Sequence, residues 1–106
     1  MGEMVIASYR PKPGQAEALL GLVREHVPIL REQQLATARE PLVLRAKDGT
    51  LLEIFEWVSP AAVEAAHGNQ AVLALWERFG AACEFVSLAS LPEAQAVFAH
   101  FEPVEL

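Results

Sequence analysis

A chain of 106 residues is expected to form one domain, and its net charge of −6 speaks against nucleic acid or an anionic membrane surface as partners. A hydrophobic content of 53% with a mean hydropathy of +0.24 excludes disorder, while the longest run free of Asp, Glu, Lys and Arg, Ala65–Trp76, falls short of the roughly 20 apolar residues of a membrane span. One cysteine, Cys83, permits no internal disulfide, and Met1-Gly2-Glu3-Met4 has neither the basic nor the long apolar segment of an export signal, so the expected compartment is the cytoplasm.

Residues Glu3 to Arg10 read as a first strand, with Val5, Ala7 and Tyr9 on one face and Met4, Ile6 and Ser8 on the other. After the breaker Pro11-Lys12-Pro13-Gly14, a helix is predicted from Gln15 to Gln34. Leu19, Leu22, Val23, His26 and Leu30 form its buried stripe, and Pro28 predicts a local kink. Pro41 to Lys47 and Thr50 to Val58 form a hairpin, with Asp48-Gly49 as a two-residue type I′ turn. That turn places Arg45 opposite Leu52, Leu44 opposite Glu53, and Val43 opposite Ile54. One face then carries Leu42, Leu44, Ala46, Leu51, Glu53, Phe55 and Trp57.

Ser59-Pro60 predicts a capped helix start. The apolar phase changes at Gly68-Asn69, which implies two helical segments. Cys83 to Ala89 reads as a fourth strand, Ser90-Leu91-Pro92-Glu93 as the start of a short helix, and Phe101 to Leu106 as a tail able to pair or pack. The order is βαββαβ with an extension over 91–106. It predicts an α+β, ferredoxin-like domain in which a four-stranded antiparallel sheet carries helices on one face.

Strand 3 is apolar on both faces: Leu52, Ile54 and Val58 on one, Leu51, Phe55 and Trp57 on the other. The chain's helices can cover only one of them. Leaving the other in water would forfeit about 1.5–3 kcal/mol per large side chain. A homodimer packed sheet to sheet would bury it, and the tail after Ser90 is the alternative cover.

The segment Phe55-Glu56-Trp57-Val58-Ser59-Pro60-Ala61-Ala62-Val63-Glu64-Ala65-Ala66-His67 resembles the antibiotic biosynthesis monooxygenase-like family of dimeric α/β barrels. The shared features are an acidic and aromatic strand end, a capped helix start and an Ala-His closing the first helical segment. The likeness spans residues 3 to 90. It implies a dimeric α/β barrel and, for many members, oxygenation of quinols and anthrones without a cofactor. The haem-degrading branch of that family uses an Asn on strand 1, a Trp in the helix after strand 3 and a His ten residues beyond. Here strand 1 has no Asn, and ungapped counting puts Ala66 and Trp76 at the other two positions, which speaks against haem.

No nucleophile elbow, phosphate loop or zinc-protease motif is present, and His26, His67 and His100 lack metal-ligand spacing, so no metal site is expected. His26, on the buried stripe of a helix, is either a core histidine bonded to a backbone carbonyl or a base in a cavity between helix and sheet. His67 either caps a helix end or joins the site. Glu53 is a carboxylate on an apolar strand face, and requires either a basic partner across the dimer or a role as base or substrate anchor. Tyr9, Phe55, Trp57, Trp76 and Phe79 are either plain core or the lining of an aromatic pocket for a small apolar ligand. With the resemblance, these residues imply a cofactor-independent monooxygenase of small aromatic compounds with His26, Glu53 and His67 as candidate bases. The alternative is a non-catalytic homodimer that binds a small molecule or has a structural role.

Overall fold

A computed structural model describes residues 2–106. The elements follow as β1 (Glu3–Pro11), α1 (Ala16–Glu32), β2 (Leu42–Arg45), β3 (Leu51–Trp57), α2 (Pro60–Ala66), α3 (Gln70–Ala82), β4 (Cys83–Val86) and β5 (Glu102–Val104), with two short 3₁₀ turns between β4 and β5. The strands form one antiparallel sheet in the order β4-β1-β3-β2-β5. The α+β class therefore holds, but the sheet has five strands rather than the expected four. The tail supplies the fifth: Glu102–Val104 pairs with Val43–Arg45 at the edge.

Helix α1 runs through Pro28 without interruption. Pro28 and Arg24, whose carbonyl it leaves without a helical donor, are on the exposed side, where water can replace the missing bond. Flanking Val27 and Leu30 are buried and pin the helix on both sides of the proline. Ser59 caps α2, its Oγ accepting from the Ala62 N–H at 3.2 Å with Pro60 as the first helical residue. Asn69 caps α3 in the same way through the Val72 N–H at 3.1 Å, so the phase change at Gly68-Asn69 is a true helix break.

The hairpin differs from expectation by one residue. Val43 faces Glu53, Leu44 faces Leu52 and Arg45 faces Leu51. The loop has three residues, Lys47-Asp48-Gly49. It is closed by the Ala46 N–H donating to Thr50 O at 2.8 Å and the Gly49 N–H to Ala46 O at 3.0 Å. A type I′ turn needs positive φ at both central residues, and here only Gly49 has it (φ 93°). Asp48 instead turns its carboxylate onto the Thr50 N–H at 2.8 Å. The slip moves Leu42, Leu44 and Ala46 to the face opposite Glu53, because the side-chain period in a strand is two.

The three helices cover one sheet face. One buried cluster joins Tyr9, Leu19, Leu22, Val23, Val43, Leu51, Leu75 and Phe79; a second joins Val27, Leu30, Phe55, Trp57, Ala62, Ala66 and Val72. Trp76 packs against both clusters. On the other face the tail packs Leu91, fully buried, with Ala94 and Phe101 over Leu44, Ala46 and Leu52. That cover is partial. Ile6, Ile54 and Leu42 form one cross-strand row on this face, and Ile6 and Leu42 remain 48% and 56% exposed, with Met4 beside them at 52%. The expected fourth strand ends early, at Val86, and a 3₁₀ turn follows at Leu88–Ser90. The predicted helix after Ser90 is reduced to a second turn, Pro92–Gln95, and Ser90 Oγ donates to the Ser87 carbonyl rather than capping a helix. Among the described residues, no helix is long and apolar enough to cross a membrane.

Candidate functional site

Glu53 sits in the middle of β3, between Ala7 of β1 and Val43 of β2, at the centre of the sheet and beneath the helices. Its side chain is fully buried. A carboxylate in that position is costly unless donors meet it, and two do. The Tyr9 hydroxyl donates to Oε1 at 2.7 Å; Tyr9 is opposite Leu51 and therefore diagonal to Glu53 on the same face. His26 Nδ1 meets the same oxygen at 2.7 Å from α1 above. The second oxygen, Oε2, is buried with no partner.

The hydrogen-bond pattern fixes the His26 tautomer. The Trp76 indole N–H, a donor only, gives its hydrogen to His26 Nε2 at 3.0 Å. A neutral imidazole that accepts at Nε2 carries its proton on Nδ1, so Nδ1–H donates to Glu53. The ring is also held by Phe55 and Phe79, whose centroids lie 5.3 and 5.1 Å from its own at steep angles. His26 is thus not the core histidine bonded to a backbone carbonyl that its helical position allowed. It is the middle of a chain from Trp76 through His26 to Glu53, with Tyr9 joining from the far side.

This chain forms one wall of a cavity of about 330 Å³ lined by Val5, Ala7, Tyr9, His26, Phe55, Trp57, Trp76 and Phe85. Its remaining walls are aliphatic or aromatic. Of the five aromatics read as a possible pocket, Tyr9, Phe55, Trp57 and Trp76 line it together with His26, while Phe79 is fully buried core behind them. Glu53 stands behind that wall as the partner of two lining residues. Burial first, and then the negative charge of Glu53, push the Tyr9 phenol well above its ordinary value, so the hydroxyl stays a donor. Burial likewise pushes the Cys83 thiol up to about 11, which leaves it unreactive as a nucleophile near neutral pH.

His67 lies apart from this group. It is exposed at the end of α2, with Nδ1 2.8 Å from the Val63 carbonyl, and does not line the cavity. What it does touch is Trp76: the two rings meet edge to face at 5.1 Å. Its placement is that of a helix-end residue packed on the outside of the site. Three lining residues lay outside the expected set: Val5, Ala7 and Phe85. The first two share the Tyr9 face by alternation, and Phe85, paired with Tyr9, shares a face with Cys83 in β4. Strand alternation alone was thus able to suggest Val5 and Ala7, whereas Phe85 enters through the pairing of β4 with β1.

Among the described residues, no three His, Cys, Asp or Glu side chains gather in a form suited to a metal ion. What the site offers is a fixed imidazole with one ring nitrogen at the cavity wall, the Glu53 carboxyl group behind it and apolar surroundings. Compared with protein-family models, curated proteins and solved structures, the chain matches none of them.

Proposed function

We propose that this protein is a cofactor-independent monooxygenase of small aromatic, quinol-like compounds, built as a ferredoxin-like dimeric α/β barrel of the antibiotic biosynthesis monooxygenase-like family and acting in the cytoplasm. The observation that carries the reading is the His26–Glu53 pair set into the wall of an otherwise apolar cavity. A buried carboxylate and imidazole can be kept in a core only at a cost in desolvation, and residues that matter only for packing would avoid it. As a base the pair is complete: Nε2 takes a proton, and Glu53 stabilises the imidazolium that results.

The chemistry then needs little else from the protein. His26 removes a proton from an acidic phenol or from the methylene of an anthrone. The resulting anion gives electrons to O₂, and a carbon–oxygen bond forms. Loss of the second hydrogen with cleavage of the oxygen–oxygen bond leaves a carbonyl and one water, so one oxygen atom enters the substrate and the other leaves as water. The methylene carbon is oxidised by four electrons and O₂ is reduced by four. The apolar walls exclude bulk water and strengthen the electrostatics of the deprotonation.

One observation favours the non-catalytic alternative, a homodimer that only binds a small molecule: Nε2 is already occupied by the Trp76 N–H. Oxygen uptake separates the two. Purified protein is expected to consume O₂ with reduced quinols and anthrones above the spontaneous rate, and His26→Ala and Glu53→Gln are each expected to lose that excess. No excess over heat-killed protein across the panel would leave the ligand-binding reading in place.

A further inference from the structure

A single lone pair sits at the centre of this site, and two donors need it. His26 Nε2 accepts from the Trp76 indole at 3.0 Å, and it has no second acceptor orbital in the ring plane for a substrate hydroxyl. Substrate and Trp76 therefore exclude each other at Nε2. His26 cannot be the one to yield: it is buried, bonded to Glu53 and held by Phe55 and Phe79. Trp76 is only half-buried, and its other aromatic neighbour, His67, is exposed.

We infer that Trp76 is a gate over the base, displaced from Nε2 by the hydroxyl of a phenolic substrate and then donating its N–H to the oxyanion left when that hydroxyl gives up its proton. This rests on the reading of His26 as the base. The geometry suits the exchange, because a substrate oxygen bonded to Nε2 would occupy the place the indole nitrogen now holds, and a modest rotation of Trp76 keeps its N–H within reach of it. The donor that protects the empty base thus becomes the donor that stabilises the charge produced by it. His67, edge-on to the indole at 5.1 Å, is a positioning residue for that rotation and touches no substrate. The inference also supplies a reason for a substrate with one acidic hydroxyl on an aromatic body. The cavity presents a single acceptor: apart from the Tyr9 hydroxyl, already committed to Glu53, the other lining side chains offer carbon surface and indole N–H donors only.

The test has two arms. In the first, ¹⁵N-labelled protein is titrated with 2-naphthol under anaerobic conditions, and the Trp76 indole N–H and the His26 ring nitrogens are followed by NMR. The expected result is a shift of the Trp76 indole signal together with the His26 Nε2 signal, both absent with naphthalene, which has no hydroxyl. In the second, Trp76→Phe is assayed for O₂ uptake with 1,4-naphthohydroquinone, whose acidic proton is on a ring hydroxyl. Its kcat is expected to fall by about 10²-fold, the scale of losing one oxyanion donor, while KM stays level or drops because the competing N–H is gone. His67→Gln is expected to lower kcat less and to weaken the Trp76 shift on 2-naphthol binding. Binding of 2-naphthol with an unmoved Trp76 signal, no binding at all, or a Trp76→Phe variant with unchanged kcat would overturn the gate. If wild-type protein shows the paired shift but consumes no O₂, the gate stands and the oxygenase reading falls. If it consumes O₂ while Trp76 stays unmoved, the reverse holds.

Discussion

Two donors converge on one oxygen of Glu53 while the other oxygen has none, and that asymmetry makes the residue sensitive to substitution. Glu53→Ala strands both the Tyr9 hydroxyl and the His26 N–H in a dry core and opens a cavity. The expected loss is about 3–5 kcal/mol, the usual cost of removing one member of a buried polar pair. Glu53→Gln keeps an acceptor in the same place, so its loss in urea unfolding should be clearly smaller even where activity is abolished. Equal losses for the two variants would mean that Tyr9 and His26 do not depend on the acceptor at this position. Tyr9 is the only tyrosine in the chain, so its ionisation can be followed by ultraviolet absorbance without interference from another phenol. Its folded value is raised above the ordinary 10.0. The stability it contributes is therefore complete below pH 10 and declines as the pH rises beyond it toward the folded value, because only the unfolded chain ionises there. Native protein should show no phenolate at pH 10.5, and unfolding in urea at that pH should release it at once.

At the scale of elements, short-range patterns were legible in the sequence and long-range ones were not. The alternation within β1 and β3, the capped start of α2 and the break at Gly68-Asn69 depend on neighbours within a few residues, and all three match. The hairpin register depended on whether Asp48 adopts positive φ, a one-residue choice that the pair Asp48-Gly49 does not disclose, and the whole of β2 changed face with it. The same limit applies to the site. A histidine on an apolar helical stripe and a carboxylate on an apolar strand face could each be noticed alone. Their meeting at 2.7 Å depends on how α1 docks on the sheet, and no local pattern encodes that. His67 shows the converse, since the local cue was a helix end and the structure places it at one. The loop before β2 is tied to β3 by Glu56, whose Oε1 accepts from the Thr37 hydroxyl at 2.9 Å and from Arg39 Nε at 3.1 Å. Those bonds, Thr37 first, hold the Glu56 carboxyl below its ordinary 4.5. A carboxylate lowered in the folded state stabilises fully above its unfolded value and loses that contribution as the pH falls through the folded one. The urea midpoint should therefore decline below about pH 4.5, and less steeply in Glu56→Gln. The variant should retain some slope, because bonds from Thr50 hold Asp48 low in the same way. A Glu56→Gln profile parallel to that of the wild type would show that the Thr37–Glu56 tie is too weak to matter in solution.

For the whole molecule, the question is how the second sheet face is covered. The apolar face that the helices leave without a partner is covered in part by the tail: Leu91 and Phe101 seal the region of Leu44, Ala46 and Leu52. The row Ile6–Ile54–Leu42 with Met4 lies beyond the reach of that cover, and the tail itself presents Val97 and Phe98 at 93% and 79% exposure. Burying three or four such side chains is worth roughly 1.5–3 kcal/mol each before the cost of association is subtracted. That supports a dimer of useful strength only if both copies contribute the same patch, as a two-fold axis provides. Substituting Ile6 and Leu42 together by Glu puts four carboxylates into such an interface, two from each copy, with no basic residue in the cross-strand row to meet them. The double variant should sediment as a folded monomer with an unchanged circular dichroism spectrum, whereas the wild-type chain should sediment at twice its 11.6 kDa. The cavity side of the sheet is untouched by these changes, so 2-naphthol should still shift the Trp76 indole in the monomer. A wild-type chain that sediments as a monomer at micromolar concentration would instead mean that the tail's partial cover suffices, and that the exposed row is left in water.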